Sequence, residues 1–284
     1  MKFLSISPLA CALALASLSL AGCKKDPTPP TTETGEFTLH MDNGVSVTSP
    51  ANVTTFSKLV LGTTSYKNAN GDDFTVSTFK YYISNVKLFR ADNSSYAVPD
   101  TYFLVDHADA ASQDLKMTGV PVGDYTAVGF TVGVDSARTK AGNFTGVLNA
   151  NNGMYWDMNG PEFINLKLEG YSPQAPHAPQ ATTGGLVFHV AGYKGAANNT
   201  IRTVRLPFPT ANLLVRPDHF PEVHLHVDIA NLFNGPNPAT ATNPPFLNPV
   251  NFALVYNKMG GPAAAKLADN AAAGMFSVSH IHAN

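Results

Sequence analysis

Cysteine is nearly absent: the 284 residues include two, Cys11 and Cys23, both near the N-terminus. The chain beyond Cys23 therefore has no thiol, no disulfide can form there, and zinc or iron–sulfur sites built on thiolates are excluded. Any metal has to be held by His, Met or carboxylate. Charge is also scarce, at 13% Asp, Glu, Lys and Arg with a formal net charge of −2. Without a basic face the chain does not suit nucleic-acid binding. Tryptophan occurs once, as Trp156 between Met154 and Met158. Catalytic templates are missing too: there is no Gly-x-Ser-x-Gly elbow, Walker loop or His-Glu-x-x-His, so no enzyme is expected.

The N-terminus does carry a pattern. "MKFLSISPLACALALASLSLAGC" sets one Lys before an apolar stretch, residues 9–21, and ends on small residues. This is the layout of a secretory signal, and the stretch is shorter than the ~20 residues of a spanning helix. Leu20-Ala21-Gly22-Cys23 resembles the bacterial lipobox, in which the Cys is lipidated and becomes the mature N-terminus. The expectation is a signal peptide over residues 1–22 and a Pro/Thr-rich tether over 23–35 that cannot bury a core. One β domain over 36–284, about 250 residues, follows. A lipid on Cys23 would anchor the protein in the bacterial cell envelope, facing the periplasm or the cell surface.

Alternation with a period of two recurs. In "EFTLHMD" Phe37, Leu39 and Met41 oppose Thr38, His40 and Asp42; in "EVHLHVDI" Val223, Leu225, Val227 and Ile229 oppose Glu222, His224, His226 and Asp228. "YTAVGFTVGVD" and "FINLKLEG" alternate likewise, with Asn165 on the polar side of the latter. Gly-, Pro- and Asn-rich clusters separate the runs, and "GPAAAKLADNAA" is a single short helix candidate. These features predict an all-β fold, an antiparallel β-sandwich with long loops and a short helix near the C-terminus.

The nine histidines all follow the tether. His224 and His226, two residues apart, project from one strand face and can chelate one ion; His280 and His282 repeat the spacing at the end of the chain. His40 and His189 lie opposite apolar strand residues, whereas isolated histidines such as His177 and His219 are ordinary polar surface. Imidazole suits copper and zinc, and a thioether adds preference for Cu(I), which Met154 and Met158 could supply. Trp156 is expected to enter from an Asn/Gly-rich loop, beside the metal or an oxidant's docking surface.

Several stretches together resemble one family. "FKYYISNVKLF", "YFLVDH", "VPVGDYTAVGFTVGVDS", "GVLNANNGMYWDMNGPEFINLKLEG" and "GLVFHVAGY" occur in the same order as in the MbnP-like family of copper-associated periplasmic proteins and lipoproteins, from about residue 36 to the final "MFSVSHIH". The resemblance implies a β-rich secreted copper-binding protein. In some relatives a tryptophan is oxidised to kynurenine by a partner di-haem peroxidase. Trp156 matches the first Trp of the family's Met-aromatic-Trp-x-Trp pattern, and Met158 stands where the second would be. His189 matches the His of a Phe-His-x-Gly-like stretch, with Ala191 before Gly192. The expectation is a membrane-anchored, non-enzymatic copper-binding protein, with Cu(I) favoured and ligands drawn from His40, His189, His224, His226, His280, His282, Met154 and Met158. The alternative is a structural or glycan-binding lipoprotein whose Tyr and Phe side chains stack on a ligand.

Overall fold

The computed structural model describes residues 33–48, 53–157, 160–176, 185–235 and 249–284. Cys23, Met158 and His177 lie outside these residues, as do the expected signal peptide and most of the tether. In chain order the strands are β1 (Thr34–Thr48), β2 (Thr54–Lys58), β3 (Tyr66–Lys67), β4 (Asp73–Phe89), β5 (Ser95–Ala97), β6 (Tyr102–Asp106), β7 (Asp114–Pro121), β8 (Gly123–Tyr125) and β9 (Ala127–Val132). They continue as β10 (Tyr155–Trp156), β11 (Glu162–Tyr171), β12 (Leu186–Ala191), β13 (Arg202–Pro207), β14 (Leu213–Val215), β15 (Glu222–Asp228), β16 (Asn257–Met259) and β17 (Phe276–His282). Among the described residues three α-helices join them: α1 (Ser136–Ala141), α2 (Ile229–Asn234) and α3 (Gly261–Asn270).

Two sheets make the sandwich. One runs β17-β15-β1-β2 with β7 also on β1; the other runs β13-β9-β4-β11-β12-β16, with β3, β5 and β6 on β4 and β10 on β11. Their inner faces share one core. Leu39 and Met41 of β1 and Val223, Leu225 and Val227 of β15 are fully buried, in one cluster with Phe79, Tyr81 and Ile83 of β4 and Phe188 and Val190 of β12. Phe276 of β17 sets its ring edge-on to Tyr81 and Phe130, centroids 6.0 and 5.3 Å away, and so joins the two sheets. The expected sandwich is therefore present, and most pairs are antiparallel. Two are parallel, β1 with β15 and β12 with β16. A tight hairpin forces antiparallel pairing; long connections such as that from β1 to β15 leave the direction open.

The alternation fails where a strand is covered on both sides. Every residue of β9 is buried. Asn165, expected outside, is buried at 2% exposure: its Oδ1 accepts from the Val134 N–H at 3.0 Å and its Nδ2 donates to Thr200 Oγ1 at 2.8 Å. Gly133, at φ 112°, leaves room for that side chain, since a Cβ there would come within 2.6 Å of it. Phe89 lies against Gly129 of β9, with Arg205 over its ring, while Val134, Leu148 and Met154 join Tyr82, Phe163, Ile164 and Ala191 in a second small core.

The expected helix is α3, with Pro262 at its start, where a missing N–H costs nothing. It continues as a wider turn, Ala271–Met275, that delivers the chain into β17. The short helices α1 and α2 were not legible in the apolar pattern. Asp135 and Asp228 cap them by accepting the N–H groups of Arg138 and Ala230. Asp228, which alternation places beside the histidines, also accepts from the Ser46 N–H at 2.9 Å, so its carboxylate serves backbone groups.

Candidate metal centre

Four strands bring one row of polar side chains onto the outer face of the smaller sheet. Leu39, Met41, Val223 and Leu225 point inward, which turns His40, Asp42, Glu222 and His224 outward. The parallel register sets His40 beside His224, and the β1–β7 register sets Asp114 beside His40. On the far side β17 pairs His280 with His224 and His282 with Glu222. A bulge between those pairs and the next is decisive, because one extra residue reverses the facing of everything beyond it. Phe276 packs inward; after the bulge at Ser279, Ile281 packs against the core and His280 and His282 join the outer face.

Four imidazoles and three carboxylates meet there. His224 stands at the centre, its ring 4.7, 4.4 and 5.0 Å from those of His40, His280 and His282. Its Nδ1 lies 2.7 Å from Asp42 Oδ2, which fixes that nitrogen as the donor and leaves Nε2 with a lone pair. That Nε2 is 3.0 Å from His282 Nε2 and 3.1 Å from Glu222 Oε1. Two ring nitrogens so close are held together by a shared proton or by a metal. Ligands bound at ~2 Å to one ion lie roughly 3–4 Å apart, and the nitrogens of His224, His280 and His282 lie within 4.8 Å of one another, with Glu222 Oε1 3.1 and 3.7 Å from His224 and His282, so the spacing fits a centre there. His40 Nδ1 is 2.5 Å from Asp114 Oδ1, and its Nε2 is 3.3 Å from Asp42 Oδ1. Among the described residues, the ion pairs of Asp42, Asp114 and Glu222 are all with histidines, none with Lys or Arg. The cluster opens onto a cleft of about 340 Å³, also lined by Phe56, Lys58 and His226.

Beneath the cleft lies a buried polar hub. Tyr81 OH donates to Asn43 Oδ1 at 2.8 Å, and Asn43 Nδ2 donates to Gln113 Oε1 at 3.3 Å. His107 sits beside them with Nε2 3.0 Å from the Leu59 carbonyl, and burial holds its pKa below the ordinary imidazole value. This histidine is built into the fold as a neutral donor.

The sequence model of the MbnP family matches residues 34–249, more than half of the chain. The chain belongs to the MbnP family. Among solved structures it is similar to MbnP from Methylosinus trichosporium, with a TM-score of 0.51 and 14% identity, covering 87% of this chain and 99% of that one. At that identity the likeness speaks for the fold. A search of curated proteins gave no match. The family is copper-associated and in general extracytoplasmic. Among the described residues no helix is long and apolar enough to cross a membrane.

The remaining expected ligands of this MbnP-family chain fall elsewhere. His226 shares the outer face with His224, yet its ring stacks on Phe56, centroids 3.9 Å apart, so the two do not converge on one point. The stacking on Phe56 holds His226 away from His224, although both line one face of the strand. His189 lies on the outer face of the larger sheet, its Nε2 2.7 Å from Glu169 Oε1. Burial works to raise the Glu169 pKa, but the His189 hydrogen bond and Lys167 overcome it and hold the carboxyl below its ordinary range. Met154 is fully buried in the second core, so its thioether is no surface ligand. Trp156 is half-buried at the edge of that core, on the short strand β10 paired with β11 and not in the loop expected for it. It donates from Nε1 to Glu162 Oε2 at 2.9 Å, and its ring lies 6.2 Å from His189. It therefore borders a separate cleft of about 350 Å³ with Met259 and Lys194, on the other sheet from the histidine cluster.

Asp42 and Asp114 were missed by the sequence reading as partners of the site. Asp42 had a signal, being two residues from His40 on one face. Asp114 had none, because its position depends on which strand pairs with β1.

Proposed function

We propose that this protein is a non-enzymatic copper-binding protein of the cell envelope, holding copper on His224, His280 and His282 with Glu222, and with His40 alongside. The observation that carries this reading is the convergence of four imidazoles from three strands around the Nε2 of His224. Family membership supplies the metal class. Among the described residues Met154 is enclosed and the donors gathered here are imidazole and carboxylate, a set that suits Cu(II) better than the Cu(I) expected from thioethers.

The test is copper titration in competition with a chelator. His280→Ala/His282→Ala is expected to lose copper affinity by about 100-fold or more, whereas His226→Ala and Trp156→Phe each stay within about threefold of wild type, on the scale set by loss of metal-site partners. Equal affinity in the His280/His282 double variant would refute the site. Oxidation of Trp156 to kynurenine by a di-haem peroxidase partner fits its half-exposed position; peptide mass analysis of protein from its native host reads it directly. In this reading that change leaves copper affinity at the cluster untouched.

Anchoring rests on Cys23. One acyl chain binds membranes weakly and several hold stably, so wild type should sediment with membranes and Cys23→Ala should be released to the soluble fraction. A variant as membrane-bound as wild type removes the lipid anchor from the account.

A further inference from the structure

The cluster holds more donors than one ion can use. A copper on His224, His280 and His282 leaves His40 with Asp114 on its other side, and these three residues and the pair share no member. His40, Asp114 and Glu222 themselves form a group whose ligand atoms lie within 4.8 Å of one another. Glu222 is common ground: its Oε1 is 3.1 Å from His224 Nε2, 3.7 Å from His282 Nε2 and 3.7 Å from His40 Nδ1. The carboxylates Asp42, Asp114 and Glu222 converge without a Lys or Arg partner among the described residues, a concentration of negative charge that a second cation would neutralise.

Resting on the copper reading above, we infer that the centre is dinuclear, with a second divalent ion on His40, Asp114 and Glu222 and the Glu222 carboxylate between the two ions. The donor sets differ in kind. Three imidazoles favour copper most strongly, whereas one imidazole with two carboxylates is a harder set that discriminates less against Zn(II), so limiting copper goes to the first locus and leaves the second to zinc. With copper limiting and zinc in excess the pair of loci fills as a mixed-metal centre, the 2.5 Å His40 Nδ1–Asp114 Oδ1 hydrogen bond opening to the ~3–4 Å of two ligands on one ion. The competing account is that Asp114 only orients the His40 ring, as a carboxylate does behind a metal-bound histidine.

Metal counting separates them. Purified full-length protein is loaded with Zn(II) alone, with Cu(II) alone and with both, desalted, and assayed for each metal per chain. Wild type loaded with one equivalent of Cu(II) and excess Zn(II) should retain one copper and one zinc. His40→Ala/Asp114→Asn should keep its copper and lose zinc affinity by about 100-fold, while His280→Ala/His282→Ala should lose copper and keep zinc. A total of one ion per chain in every mixture overturns the inference. Zinc retained at wild-type affinity by His40→Ala/Asp114→Asn overturns it equally. Zinc bound at His40 and Asp114 with no copper bound anywhere would instead refute the copper reading and leave this locus standing.

Discussion

His224→Ala is expected to lower copper affinity by about 100-fold or more while leaving the fold intact. No other imidazole touches the whole cluster: its ring lies within 5.0 Å of those of His40, His280 and His282, and Asp42 already fixes which nitrogen faces them. His40 can share an ion with His280 and His282 only through it. The side chain points away from the core, and its neighbours Val223 and Leu225 carry the burial. Unfolding free energy should therefore stay within about 1 kcal/mol of wild type, as for surface substitutions that create no cavity. Chelator competition and a urea melt on the same preparation measure both. Wild-type copper affinity in this variant would remove His224 from the centre of the account.

Phe276→Ala should have the opposite profile, a large loss of stability that carries metal binding with it. Phe276 is 5% exposed and lies between Tyr81 and Phe130 of the opposite sheet. Truncating a buried Phe costs about 3–5 kcal/mol through lost transfer energy and the cavity left behind. Typical domains are stable by only ~5–15 kcal/mol, so the urea midpoint should fall steeply. The strand affected, β17, is the end strand of its sheet and carries His280 and His282. Loosening it should weaken copper binding although Phe276 touches no ligand. A destabilisation below about 1 kcal/mol would mean that Phe276 does not join the sheets as described.

The strands that make the site were legible in the sequence, and its composition was not. Leu39 and Met41 against His40 and Asp42, and Val223 and Leu225 against His224, follow from period-two alternation, because one face of each strand is buried and the other is not. The Pro262 start of α3 was equally plain. Alternation within a strand carries no information about its neighbour, and so could not show that β1 and β15 run parallel or that Asp114 comes to His40. The β17 bulge is the clearest case. Counting by twos from Phe276 places His280 and His282 inside, and only the extra residue at Ser279 turns them out to meet His224. Spacing in sequence likewise paired His224 with His226, but a single aromatic from β2, Phe56, draws His226 aside. Family resemblance pointed to copper and to Trp156, and gave no sign that the indole and the histidine cluster stand on different sheets.

The central claim is that copper sits on nitrogens from β15 and β17. Electron paramagnetic resonance of protein loaded with substoichiometric Cu(II) tests it most directly, because coordinated imidazoles split the signal through their nitrogen nuclei. The account predicts a nitrogen-coordinated spectrum in wild type that is unchanged in His226→Ala and His189→Ala and is lost in His280→Ala/His282→Ala. A wild-type spectrum that survives in the His280/His282 variant, or that disappears on replacing His189, would contradict it.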